Sequence, residues 1–305
     1  PAMIQKGYDK NFSVAINCSA SCLGPIIPPS IIMIIYGSLT GASIGALFLG
    51  GVVPGILIGG GMMLTSYLLS RRGRFVVEPR PPASWGEVWH ALKEASLALT
   101  LPVIILGGII TGVFTATEAG AVAAVASFVL GVFIYKEVKP GEIIAVVLRS
   151  VSATAVVMLL CATAAIFGWI LAKERFGDLA LNTMRAITPS PTGIMFLIVI
   201  LLLIVGCFVD TIASTIILIP VLHPMMVSLG FDPIHFGVIA TILITVGGLT
   251  PPVAPLLYIA STIAKSPALD ALPLVIVFMT IILLVTIVLI FVPPLVTFLP
   301  NLVFK

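Results

Sequence analysis

The 305-residue chain is 60% hydrophobic and only 9% charged, with a net charge of +3 and a mean hydropathy of +1.26, whereas soluble globular domains carry about a quarter charged residues. Water is thereby excluded as the main solvent. A nucleic-acid partner is excluded too, because the basic residues sit in short polar breaks between apolar runs. Stretches such as 41–69, 97–135 and 272–299 exceed the roughly 20 residues that cross a bilayer core. The chain therefore reads as an all-α polytopic membrane protein, with the lipid bilayer as its surroundings.

In chain order, a helix is predicted over 11–39 with an interruption near Pro28, then a span over 41–69. Residues 70–94 form a charged loop, and Arg71, Arg72, Arg74 and Arg80 place it on the cytoplasmic side. Spans follow over 95–115 and 119–135, separated by a polar break at Thr115, Ala116, Thr117 and Glu118, and then a helix over 142–172. Residues 193–223 are apolar except at their centre, where Gly206, Asp210, Thr211, Ser214 and Thr215 gather. That centre suits a re-entrant hairpin of two half-length helices better than one span, although the single span stays open. A second interrupted helix over 234–264 and a last span over 271–300 complete the pass.

Sliding the chain by 223 positions aligns residues 1–39 with 224–262, and nine positions are identical. They are Pro1/Pro224, Met3/Met226, Gly7/Gly230, Asp9/Asp232, Ile16/Ile239, Gly24/Gly247, Pro28/Pro251, Pro29/Pro252 and Ser38/Ser261. Chance supplies about two or three matches over that length. Proline removes an amide donor and clashes with the preceding turn. Each helix must then unwind, over Gly24, Pro25, Ile27, Pro28, Pro29 and Ser30 in one copy and over Gly247, Gly248, Thr250, Pro251 and Pro252 in the other. Irregular backbone at membrane depth is tolerated where protein or an aqueous cavity surrounds it, and paired breaks in two repeats point to a transporter's binding site. A simple pair of kinks is the plainer alternative.

The organisation expected is the end of a first repeat over 1–69, the loop over 70–94, and a second repeat over 95–305. A re-entrant hairpin makes the two broken helices antiparallel, hence inverted repeats; a single span makes them parallel. Cys18, Cys22, Cys161 and Cys207 read as buried small hydrophobes, and His223 and His235 as interfacial. Trp85, Trp89 and Trp169 suit membrane-surface anchoring. No Walker motif, nucleophile elbow or His/Cys cluster is present in the sequence, so neither an enzyme nor ATP-driven transport is expected. A channel or passive scaffold is the competing class.

Six stretches resemble the large membrane subunit of tripartite ATP-independent periplasmic (TRAP) transporters, the DctM-like family. They are GPIIPPS at Gly24–Ser30, GGVVPG at Gly50–Gly55, GVFTATEAG at Gly112–Gly120, GCFVD at Gly206–Asp210, GFDPIHFGV at Gly230–Val238 and GLTPPVAP at Gly248–Pro255. Two positions depart from the pattern, Ala116 for proline and Ala254 for glycine. The resembled pattern also carries a hairpin before Pro1, so an N-terminally shortened chain is expected, with the second break left the more complete.

The resemblance implies an elevator-type secondary transporter of the bacterial inner membrane that imports organic acids such as C4-dicarboxylates, sialic acid or other sugar acids. It implies Na⁺ as coupling ion, with no other cofactor, and two partners: a small four-helix membrane subunit and a periplasmic solute-binding protein. Asp210 is the sharpest candidate Na⁺ ligand, since a carboxylate within an apolar segment is costly unless paired; a cap of the hairpin tip is the alternative. Gly247 and Thr250 would supply further oxygens to the cation and Ser30 a hydroxyl to cation or substrate, while Thr211, Ser214 and Thr215 would either add hydroxyl ligands or merely satisfy backbone. Thr115, Thr117 and Glu118 are candidates for the cavity, with Glu118 read slightly more readily as a helix cap.

Overall fold

A computed structural model describes residues 1–71 and 83–304, the side chains of Pro140 and Ala172 apart. Arg72, Arg74 and Arg80 of the predicted loop lie outside the described residues. The helices are α1 (Ala2–Gln5), α2 (Lys10–Ser21), α3 (Ile31–Thr40), α4 (Ile44–Arg71), α5 (Trp85–Ile110), α6 (Ala116–Val129), α7 (Ile143–Lys173), α8 (Phe176–Ile187), α9 (Pro191–Phe208), α10 (Thr211–Ser228), α11 (Pro233–Gly247), α12 (Pro255–Ala264), α13 (Ala268–Phe291) and α14 (Pro294–Val303). A π turn at Leu130–Ile134 prolongs α6. Among the described residues seven segments are long and apolar enough to cross a membrane: α4, α5, α6 with its π turn, α7, α9, α10 and α13. An apolar helix satisfies its backbone within itself, which lipid demands.

The chain forms two compact units, one from Pro1–Val77 with Thr163–Lys305, the other Glu78–Ala162. The smaller holds α5, α6 and the start of α7. In the larger, α11 is the centre, with every residue from His235 to Gly247 buried. At 15 residues, about 22 Å, it is too short to cross a 30 Å core.

Several predicted boundaries need correction. The loop over 70–94 ends at Ser84, because Ser84 and Glu87 form a capping box that starts α5 ten residues early. The last span divides into α13 and α14, since Pro293 and Pro294 interrupt it after Phe291. The hairpin arms are 18 residues each, about 27 Å, longer than half-length helices. They do fold back on each other. A Cβ built on Gly177 of α8 would lie 3.9 Å from Val221 O of α10, and α9 begins only a few residues beyond α8. A continuous rod of both arms would be about 54 Å long, so the chain reverses at Val209 and Asp210.

The 223-residue duplication reappears as geometry. Gly7 and Gly230 adopt φ +85° and +88°, each the left-handed residue of a Schellman cap: Tyr8 N–H donates to Met3 O and Phe231 N–H to Met226 O, both at 3.1 Å. Asp9 and Asp232 then cap α2 and α11. Pro28–Pro29 and Pro251–Pro252 are both cis. The first copy also touches the second copy and the residues just after it in reverse order along the chain. Asn11 Oδ1 accepts from Ser266 Oγ at 2.9 Å, Cys22 Sγ lies 3.7 Å from Thr245 O, and Tyr36 Oη donates to Pro233 O at 2.9 Å.

Two histidines expected at the interface are instead structural. His235 is 1% exposed, with Nε2 2.9 Å from Leu289 O. His223 Nδ1 lies 2.7 Å from the buried Tyr36 hydroxyl, whose single proton goes to Pro233 O, so the imidazole donates. One hydroxyl thus ties α3, α10 and the start of α11. Cys18 and Cys22 are buried as expected, while Cys161 and Cys207 are partly exposed.

Both departures from the resembled pattern fall at helix starts. Ala116 is the first residue of α6, directly after the cap Thr115, a position proline favours. Ala254, fully buried, precedes α12 with φ +34°, a left-handed backbone that costs an L-residue about 1–2 kcal/mol. Glycine forfeits roughly 0.4–1 kcal/mol to unfolded-state freedom. Ala254→Gly is therefore expected to raise the thermal unfolding midpoint slightly, and Ala254→Val to lower it by more, measured on the detergent-solubilised chain.

Candidate functional site

The second break begins where α11 tightens. Gly248, Leu249 and Thr250 N–H groups donate to Thr245, Val246 and Gly247 carbonyls at 3.1, 3.0 and 2.9 Å, an i to i−3 pattern. Pro251 and Pro252 then end it, having no N–H to give. Among the described residues no backbone N–H donates to the carbonyls of Gly248 or Leu249.

The hairpin tip is seated on this break, backbone against backbone. A Cβ on Gly206 would lie 2.8 Å from Gly247 Cα, and one on Gly247 would lie 2.5 Å from Gly206 Cα. Only glycine at both positions permits that approach. Val253 N–H donates to Cys207 O at 3.2 Å. A Cβ on Gly248 would be 3.8 Å from Thr211 Oγ1, so the start of α10 adjoins the same backbone. The positive ends of α10 and α12 flank it, which favours negative charge nearby.

Asp210 is exposed at the tip and caps α10, its Oδ1 accepting from Ile212 N–H at 2.9 Å. The second carboxylate oxygen is left for other company. Ser214 and Thr215 are buried, and their hydroxyls donate to Val209 O at 3.3 Å and Thr211 O at 2.8 Å. Thr250 Oγ1 reaches Met279 Sδ of α13 at 3.4 Å. Among the described residues no three His, Cys, Asp or Glu side chains come together, so a cation here would meet mainly carbonyl and hydroxyl oxygens.

The first break is built differently. Ser30 caps α3, accepting from Met33 N–H at 3.2 Å and donating to Pro25 O. α4 packs on this break through glycines: a Cβ on Gly55 would lie 2.6 Å from Ile27 Cγ1, and one on Gly51 would strike Ile26 O. Pro28 is buried, whereas Gly24, Ile27 and Pro29 are exposed. The Cys22–Thr245 contact joins the approaches to the two breaks. An apolar cavity of about 410 Å³ lies between α1, α2 and α12, lined by residues that include Met3, Val14, Cys18, Leu256, Ile259 and Ile263. Under the 223-residue offset, α2 and α12 correspond to α11 and α3, the helices that α9 and α10 cover.

Thr115, Thr117 and Glu118 belong to the smaller unit. Thr115 and Glu118 form a capping box: Thr115 N–H and Oγ1 each donate to Glu118 Oε2 at 2.8 Å, and Glu118 N–H donates to Thr115 Oγ1 at 3.3 Å. The structure adds Gly206, Cys207 O, Val253 N–H and Met279 to the candidate residues of the second break. Of these, only Gly206, opening GCFVD, left a signal in the sequence.

Because Gly206 meets backbone, no side chain can yield to a methyl group, and overpacking costs about 1–3 kcal/mol. Gly206→Ala is expected to lower the unfolding midpoint by parting the hairpin from the break. Gly120→Ala, which faces open space, should leave it unchanged; thermal melts on the pair check this.

Comparison with known proteins identifies the family. The profile of the family "Tripartite ATP-independent periplasmic transporter, DctM component" matches residues 1–295. The chain is 39% identical over 266 residues to the isethionate TRAP transporter permease DctMQ of Oleidesulfovibrio alaskensis, covering 87% of this chain and 42% of that one. It is 37% identical over 260 residues to the sialic acid TRAP transporter large permease SiaM of Vibrio cholerae, covering 85% and 60%. It is 36% identical over 299 residues to the C4-dicarboxylate TRAP transporter large permease DctM of Pseudomonas aeruginosa, covering 98% and 70%. The chain thus spans about half the length of the first two of these relatives. It belongs to the DctM component family of tripartite ATP-independent periplasmic transporters, whose members are transporter subunits rather than enzymes.

Proposed function

We propose that the chain is the transport core of a Na⁺-coupled organic-acid importer of the bacterial inner membrane, working by an elevator motion. The observation that carries this reading is the hairpin tip seated on the second break by Gly206 against Gly247 and by Val253 N–H to Cys207 O. Asp210, Thr250 and the carbonyls of Gly247, Gly248 and Leu249 would meet the cation there. The starts of α10 and α12 would draw the substrate's carboxylate. Inverted repeats are supported by the reversed order of contacts between the first copy and the second with the residues just after it, from Asn11 with Ser266, through Cys22 with Thr245, to Tyr36 with Pro233.

The substrate class is proposed from the relatives, which are named for isethionate, sialic acid, C4-dicarboxylate and 2,3-diketo-L-gulonate. A small four-helix membrane subunit and a periplasmic binding protein are the proposed partners. Reconstituted with both in liposomes, the chain should take up its acid only under an inward Na⁺ gradient. Uptake indifferent to that gradient would sink the coupling. Asp210→Asn, which retains the cap, should cut uptake at least about tenfold by removing a charged ligand worth 1.4 kcal/mol or more; near-normal uptake would take Asp210 out of the cation site.

A further inference from the structure

We propose that the groove between the end of α7, α8 and α10 binds an anionic phospholipid, its phosphate on Arg175 and one acyl chain along the groove's apolar floor. The groove measures about 340 Å³, is floored by Leu171, Leu181, Pro220, Val221 and Met225, and carries Arg175, Asp178 and Ser228 on its lining. Ser228 Oγ is engaged with Met225 O at 2.7 Å. An apolar floor with a charged edge is the layout of a lipid at the level where tails meet headgroups.

The neighbouring residues fix that level. Trp169, on the last turns of α7, is 64% exposed, and Lys173 Nζ stands 5.2 Å from its ring centroid, the pairing of aromatic and cation typical of a membrane interface. The chain then turns sharply at Arg175, φ +52°, into α8, 12 residues long and about 18 Å, too short to span. α8 has three faces. Gly177, Leu181 and Met184 are partly covered, whereas Phe176, Leu179 and Ile187 form an exposed apolar stripe, and Asp178, Asn182 and Arg185 an exposed polar one. An interfacial helix needs that division, with one stripe in the tails and one in water.

Arg175 is shaped for phosphate. Its Nε donates to Asp178 Oδ2 at 2.8 Å, which orients the guanidinium by one edge. Among the described residues no acceptor takes its terminal Nη hydrogens. A planar fork with a free edge binds two phosphate oxygens at once, which an ammonium cannot do. From Lys173 to Arg185 three cations face two acids, Glu174 and Asp178, leaving a net positive charge toward the headgroups.

Trp169 reports on the groove. In a Trp85→Phe, Trp89→Phe background it is the sole tryptophan of the three, so its fluorescence can be quenched by brominated acyl chains added to the purified transporter in micelles. Brominated phosphatidylglycerol is expected to half-saturate the quenching at about one fifth the mole fraction of brominated phosphatidylcholine. Arg175→Gln should erase that preference, Arg175→Lys should keep part of it, and millimolar inorganic phosphate should not reverse the quenching. Equal titration by the two lipids, a preference that survives Arg175→Gln, reversal by phosphate alone, or no quenching by either lipid because protein fills the groove would each overturn the proposal.

Discussion

The contact between Gly206 and Gly247 is what the rest of the larger unit is arranged to permit. Two backbones approach there without side chains between them, at the point where two prolines have stopped α11's successor turn and left carbonyls unpaired. Bare carbonyls at membrane depth cost several kcal/mol each unless protein, water or an ion meets them. The bond across this seat runs from Val253 N–H of the break to Cys207 O of the hairpin, so it satisfies a carbonyl of the tip. Among the described residues the carbonyls of Gly248 and Leu249 accept from no backbone N–H. One constraint acts on the fold here: a residue larger than glycine at either position separates the tip from the break.

The duplicated positions are mostly backbone determinants. Glycine recurs where φ is positive, at Gly7 and Gly230; aspartate recurs as the cap of α2 and α11; the paired prolines recur at the breaks. Side chains that pack were free to diverge, so Tyr36, which ties α3 to α10 and α11, has Ile259 at the corresponding position. The two halves therefore share a path but not a lock. That asymmetry fits a molecule in which α3 and α10 must stay together.

Much of this was legible in the sequence. Pro-Pro after glycine announces an unwound helix whatever surrounds it, and polar residues at 206–215 announce a tip. The length of the hairpin arms was not, because Pro220 and Pro224 lie inside α10 without ending it and the tail of α10 carries its apolar pattern past His223. The early start of α5 hid in a capping box whose two residues look like ordinary loop composition. α8 went unseen because twelve mixed residues carry no spanning signal. The burial of His235 and the bond of His223 to Tyr36 are tertiary facts, since a histidine between apolar residues reads the same at an interface and in a core.

Whether tip and break form one body can be read from a single cross-link. In a chain with Cys18, Cys22 and Cys161 replaced by serine, Val253→Cys stands one 3.2 Å backbone hydrogen bond from native Cys207, a separation that brings the two segments close enough to test for a disulfide. Oxidation in membranes should link residues 207 and 253 in high yield, with and without Na⁺ and substrate. Absence of the link under every condition, beside normal assembly of the chain, would contradict the seating of the hairpin on the break.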